Sequence, residues 1–429
     1  MSVEAHMAAA KLPPASVDRS LAGGYRWRLL AVMWFVVAVV VALPSVGGGV
    51  LNAHMIAELQ FDRGVYGMSF GLFVIMMGVP GPLVACLVRR FGVKPVMMGG
   101  CALVIVGALL ISTVVREGWQ FAAAFGLLVG GGVAAAGVLP AQAAVTHWFV
   151  DRRALAVSIV LSAIDVGGIV AAPALQWVVG AHDWRAGWRL IAALGGVGLV
   201  AIAFLLRSEG GYGVGTPALT ERPVSGRVYK SDRAWTFAEA LRTRTFWCIA
   251  FFTVAVGMNW IFFMAHGVIH LRDLGFEPGQ AAQAVAVMVT ASLAGNVTAG
   301  ALGDRVPPAR IGAVTMVLML AGVLLAVRPA GTAGLLAFAL PVGFAYGASQ
   351  VCLMAMLANY FGSKAFPALF GALLAGGTLV AAVLAGVAGA VFERDGAYTP
   401  IFHLCAAVTA LAIVSIALAT PPRNGPSAR

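Results

Sequence analysis

One carboxylate stands apart in this sequence. Asp165 lies twelve residues beyond Arg153, in a run that is otherwise free of charge. That is about 18 Å along a helix rising 1.5 Å per residue, near the middle of a ~30 Å hydrocarbon core. A charged side chain at that depth costs roughly 2.5–3.5 kcal/mol on insertion scales, so such residues usually mark a function. Three uses are open to it. It could carry a proton, neutral where hydrocarbon surrounds it and ionised where water reaches it. It could be the counter-ion of a cationic substrate, or a protonated acid bonded to a neighbouring helix.

Other polar residues recur at helical spacing. Asn259, Phe263, His266 and His270 are separated by 4, 3 and 4 positions and so share one face of a helix. Histidine titrates near neutral pH, which makes His266 the second proton-coupling candidate beside Asp165. Asn52 and His54 follow a flexible Pro44–Gly49 run, and Tyr346, Ser349 and Gln350 recur at i, i+3 and i+4. With Asn296, these residues are expected to line a central cavity; the bland alternative for each is an interhelical hydrogen bond, worth about 0.6 kcal/mol in a membrane. Trp34, Tyr66 and Trp260 are aromatic candidates for substrate contact or for packing.

Several chemistries are excluded. No third ligand is spaced to complete a metal site around the histidines. Walker and HExxH sequences are absent, which argues against an ATP motor and against an enzyme. No cofactor is expected.

The elements that must hold these residues follow from composition. Of 429 residues 61% are hydrophobic and 10% charged, far from the quarter charged of soluble domains. Apolar stretches of spanning length recur at about 29–52, 65–88, 95–115, 120–146, 154–180 and 188–206. After a polar segment they resume at about 245–270, 280–303, 311–328, 333–358, 367–392 and 400–420. The chain therefore reads as an all-α polytopic membrane protein of twelve spans, with the lipid bilayer as its first partner.

The formal charge of +11 does not point to nucleic acid, because the bases sit in short loops. Of 28 Lys and Arg, 21 fall in the termini and even-numbered loops, whereas the acids divide evenly. Lys and Arg set orientation, so both termini are expected in the cytoplasm of a cell whose inner (plasma) membrane holds the protein. The five cysteines lie in or at the ends of spans, without metal-like spacing. Residues 1–26 read as a cytoplasmic tail without signal-peptide features, and 421–429 as a second tail. Between the halves 27–206 and 245–420, the segment 207–244 opens Gly- and Pro-rich like a flexible linker. It closes with Thr236 and Glu239 at capping-box spacing, ahead of a short helix.

The halves echo each other. Trp148-Phe149 and Arg152 match Tyr360-Phe361 and Lys364 at an offset of 212, which also carries Asp183 onto Asp395. Asp165 then falls opposite Gly377, so the acid belongs to one half only. Internal repeats of this kind are characteristic of transporter folds, whose sites lie between the repeats.

Gly300-Ala301-Leu302-Gly303-Asp304-Arg305, after span eight, resembles the G-x-L-x-D-R loop motif of the major facilitator superfamily. The matching loop after span two keeps Arg90, Gly92 and Lys94, but has Ala85 at the glycine and Arg89 at the aspartate. The resemblance implies two pseudo-symmetric six-helix halves that work as a monomer, with Arg90, Gly92, Lys94, Gly300, Asp304 and Arg305 as a cytoplasmic latch. Within the superfamily, Trp148, Phe149, Arg152, Arg153, Leu155 and Ala156 entering span five resemble the monocarboxylate-transporter and oxalate:formate-antiporter group. So do Tyr360-Phe361-Gly362 and Asp395-Gly396-Ala397-Tyr398.

That resemblance implies alternating access and proton-coupled symport of a small organic acid. The group's anion anchors are missing, however. Asn296 stands where the group has an arginine, and Ser292 where animal members have an aspartate. Val50 lies near the span-one lysine position, and no lysine occurs between Pro367 and Phe392. A proton-driven exporter of an amphipathic or cationic compound is the alternative reading.

Overall fold

The computed structural model describes residues 19–61, 63–206, 228–231 and 233–422. Most of the Gly/Pro-rich linker, the start of the N-terminal tail and the last seven residues lie outside them, as does the side chain of Tyr66. Among the described residues every regular element is helical. Ten helices are long and apolar enough to cross a membrane, or eleven with one bent pair taken as a span.

In chain order these are α1 (Gly24–Leu59), α2 (Arg63–Gly78 bent by 42° into Gly81–Phe91), α3 (Val93–Thr113), α4 (Gly118–Trp148), α5 (Arg153–Ala181) and α6 (Trp184–Leu205). After a five-residue helix, Phe237–Leu241, come α7 (Arg244–Asp273), α8 (Pro278–Leu302) and α9 (Pro308–Ala326). The following helix, Gly331–Asp395, is broken at Gly362, where φ 76° and ψ 165° suit a residue without a Cβ. Its arms, 331–361 and 363–395, are α10 and α11 and correspond to spans ten and eleven of the sequence reading. Thr399–Ala417 is α12.

Local chemistry explains the boundaries. Thr236 and Glu239 form the reciprocal capping box expected from their spacing. Thr243 caps α7 and Asp183 caps α6, each accepting a backbone N–H of the first turn. Asp395, matched to Asp183 by the repeat, instead pairs with Arg394. Pro278 and Pro308 open α8 and α9, where their missing N–H is not needed. α1 passes through a π-helical stretch, Ala38–Gly47, at Pro44.

Two apolar cores form. One lies within the first half around Met33, Phe73, Phe125 and Trp188. The other fills the second half and extends over the seam to Val84, Leu139 and Val157 of the first. Large apolar side chains such as Phe204, Val314 and Leu411 are exposed on the outside, as a lipid-facing surface requires.

The two halves meet along two seams. Where α2 meets α11, a Cβ on Gly81 would lie 2.5 Å from the Gly371 carbonyl oxygen, so only glycine permits the approach. Where α5 meets α8, a Cβ on Gly300 would collide with Ser158, and one on Gly303 would lie 2.7 Å from the Ala154 side chain. This second seam carries the polar residues.

Candidate functional site

Asp165 is the buried acid of the α5–α8 seam. Its carboxylate accepts a hydrogen bond from Ser292 Oγ at 3.3 Å and another from the Asn296 amide. Ser292 and Asn296 are one helical turn apart, so both face α5. They are the two positions where the resembled group places an acid and an arginine. Here the acid stands across the seam on α5, and α8 offers two neutral donors to it.

Aromatic and amide groups surround this contact. Tyr346 of α10 is hydrogen-bonded to Gln350 one turn on and lies within electrostatic reach of Asp165. The Tyr346 ring stacks on Trp260 of α7, with centroids 3.9 Å apart and planes 9° from parallel. Both rings keep part of their surface exposed. From the first half, Trp34 Nε1 donates to Ser162 Oγ at 3.1 Å, and Ser162 lies three residues before Asp165 on α5. Every described Lys and Arg lies in a loop or near a helix end, so none reaches this depth.

The end of the bundle with the basic loops is sealed. Asp304 accepts from the Ala154 and Leu155 backbone N–H groups at 3.1 and 3.2 Å, placing a carboxylate on the N-terminus of α5. Burial pushes the Asp304 acid up from its ordinary range, against those two hydrogen bonds and the charges of Lys230 and Arg152. Arg153, 3% exposed, donates from Nη1 to the Ala358 carbonyl at 2.9 Å and to Asn359 Oδ1 at 3.3 Å, joining α5 to the end of α10. The segment before α7 crosses both halves. Lys230 Nζ donates to the Val150 carbonyl at 2.6 Å, and Ser231 N to the Asn359 carbonyl at 2.7 Å. Burial, then the neighbouring Arg153 charge, pushes the Lys230 ammonium down, while Asp304 and Asp151 oppose it.

Several expected cavity residues are placed elsewhere. Ser349 is fully buried with its hydroxyl 2.7 Å from Thr315 of α9, because it lies about 100° round the helix from Gln350. The Asn259–His270 face turns inward to its own half. Asn259 donates to Thr409 of α12 at 2.9 Å, and His266 Nδ1 meets the Tyr398 hydroxyl at 3.2 Å. Phe263 stacks on Phe338, and His270 meets the Ala326 carbonyl at 3.0 Å. The space beside Phe263 and His270 is about 10 Å³, enough for one water at most. Trp260, one position beyond Asn259, is the residue of that helix beside the Asp165 site.

Asn52 is fully buried inside the first half with neither amide atom paired among the described residues, and exposed His54 bonds the Val50 carbonyl of its own helix. In the span-two loop, Gly92 takes φ 88° and ends α2, and Lys94 caps α6 by donating to the Ala203 and Leu206 carbonyls at 2.7 and 2.8 Å. Arg90 is exposed over the Phe91 ring, and Arg305 is exposed beside Asp304. Of the latch residues, Gly300 and Asp304 meet the opposite half. The clamps made by Arg153, Asn359 and Lys230 were missed from sequence. Arg153 stood inside a helix-entry motif, but nothing in its spacing announced a buried partner over two hundred residues away.

The family model of the Major Facilitator Superfamily matches residues 31–272 and again 248–429. Monocarboxylate transporter 13 of Bos taurus is 30% identical over 349 residues, 80% of this chain and 76% of the relative. The Rattus norvegicus protein of the same name is 31% identical over 338 residues, 76% and 73% of the two chains. Among solved structures, the Escherichia coli fucose:proton symporter superimposes with a TM-score of 0.71 at 14% identity, covering 92% of this chain and 98% of its own. That likeness concerns the fold.

Proposed function

The chain belongs to the Major Facilitator Superfamily, and we propose that it is an alternating-access carrier, working as a monomer, that takes up a small organic monocarboxylate with a proton. The names of its relatives support the substrate class. The observation that carries the coupling is the bond of Asp165 on α5 to Ser292 and Asn296 on α8. The acid lies on the α5–α8 seam between the halves, at midplane depth, near the half-buried Trp260 and Tyr346 rings. An ionised Asp165 and a substrate carboxylate about 4 Å apart would repel by about 4 kcal/mol at an effective dielectric constant of 20. The substrate anion therefore binds after the proton, and the two travel together.

By the Lys/Arg asymmetry the sealed end is cytoplasmic, in a plasma membrane with both termini inside. Asp304, Arg153 and Lys230 then hold the carrier closed to the cytoplasm. His266, half-buried beside Tyr398 and Phe262, is outside this proton path.

One observation favours a second reading. An acid flanked by rings, with no cation near it, also suits an organic cation exported against protons. Purified protein in liposomes holding a pH dye separates the two. Addition of a monocarboxylate outside should acidify the lumen faster than in protein-free liposomes under symport. No such acceleration by any carboxylate, together with a proton flux on addition of amines, refutes the uptake reading.

A further inference from the structure

The site lacks the cations that fix small anions, so the affinity for a substrate has to come from its uncharged part. The surfaces offered to that part are flat. The Trp260–Tyr346 pair is stacked at 3.9 Å with both rings half-buried, and Trp34 of the first half stands beside Ser162, one turn from Asp165. The polar atoms nearby are neutral: the Asn296 and Gln350 amides, the Ser292 hydroxyl and the Tyr346 hydroxyl. Such groups orient a carboxylic acid by hydrogen bonds but do not hold a short anion such as a two- or three-carbon acid against water.

We propose that this carrier selects monocarboxylic acids bearing an aromatic ring, the ring lying against the half-buried Trp260–Tyr346 stack and the acid group turned to Asp165 and Asn296. This rests on the carboxylate reading above and deepens it. Ring faces prefer offset-stacked partners, and the carboxyl end needs only neutral donors once Asp165 is protonated. The mutual stacking of Trp260 and Tyr346 fixes the platform in advance, so little side-chain freedom is lost on binding.

The test is competition in proteoliposomes under an inward proton gradient, with 3-phenylpropionate, butyrate and 2-phenylethylamine as probes. In the wild type, 3-phenylpropionate should be taken up and compete at least about tenfold better than butyrate, roughly the worth of one good ring stack. Trp260→Leu should remove most of that advantage and leave the butyrate constant within twofold, whereas Trp260→Phe should keep part of it. Tyr346→Phe, which keeps the ring, should behave as wild type in the ratio. Equal competition by butyrate in the wild type overturns the aromatic selectivity and leaves proton-coupled carboxylate uptake standing. The same holds if Trp260→Leu weakens both acids alike. Binding of 2-phenylethylamine with neither acid recognised overturns both readings.

Discussion

Replacing Asp165 by Asn should convert an accumulating carrier into an equilibrating one. The substitution removes the ionisable proton and keeps nearly the same shape, and the Asn side chain can still accept from Ser292 or Asn296 across the seam. Fold and seam should therefore survive, at the cost of exchanging a charge-assisted acceptor for a neutral one, about 1 kcal/mol. The driving force is different. With one proton moved per anion, each pH unit of gradient is worth about 1.4 kcal/mol, which is a tenfold accumulation of substrate.

The assay is uptake of labelled 3-phenylpropionate into vesicles at an imposed one-unit gradient, corrected for protein-free vesicles to subtract passive entry of the neutral acid. The wild type should overshoot by close to tenfold. Asp165→Asn should show no overshoot above the control while retaining exchange of internal for external substrate. Because the neutral amide also abolishes the repulsion of about 4 kcal/mol expected from an ionised acid, substrate affinity in the variant should stay flat between pH 6 and 8. An undiminished overshoot in Asp165→Asn would show that the proton enters elsewhere.

Three further substitutions separate the seam from the scaffold. Gly300→Ala places a methyl group on the Ser158 side chain, so it should destabilise the closed seam by about 1–3 kcal/mol and slow transport. Ser158→Gly in the same chain should restore it, as a thermal-shift and transport double cycle would reveal. Lys94→Met deletes two hydrogen bonds to the end of α6 and should lower stability by about 1–2 kcal/mol. Its pH dependence and substrate selectivity should match wild type, which a thermal melt beside the uptake assay checks; a changed coupling ratio would restore Lys94 to the latch.

Much of the fold was legible because apolar length and Lys/Arg bias act locally and independently of packing. The expected cap at Thr236 likewise depends on a few neighbouring residues. The site was legible in part. Asp165 could be singled out by depth alone, and Asn296 and Ser292 by where they stand in the resembled motif. That the three meet could not be read, since it depends on which face of α8 turns toward α5. Periodicity also misassigned faces. The Asn259–Phe263–His266 stripe is real, but it turns toward α12 and α10, and the partly exposed ring beside Asp165 belongs to Trp260, 100° away. A helix inside a bundle is contacted on several sides, so a polar stripe says that partners exist without saying in which half they are.

The asymmetry of the two seams gives the proton a mechanical consequence. On the α2–α11 side contact is made by backbone at Gly81 and Gly371, and the latch position that holds Asp304 in the second half holds exposed Arg89 in the first. Buried Asp165 and half-buried Asp304 thus both lie on the α5–α8 seam. An ionised Asp165 accepts two charge-assisted hydrogen bonds from α8; once the acid is protonated both become bonds between neutral groups, which are weaker. The loss is about 1–2 kcal/mol, so protonation should shift the closed-to-open balance of this seam roughly tenfold. A cysteine placed at Ser158, beside Gly300, should therefore react faster with a membrane-permeant thiol reagent at pH 5.5 than at pH 8, after correction for thiolate fraction. Asp165→Asn should remove that pH dependence while Asp304→Asn raises the rate at both. If the corrected rate at Ser158→Cys is the same at both pH values in otherwise wild-type protein, the seam does not sense the proton, and coupling must run through substrate binding alone.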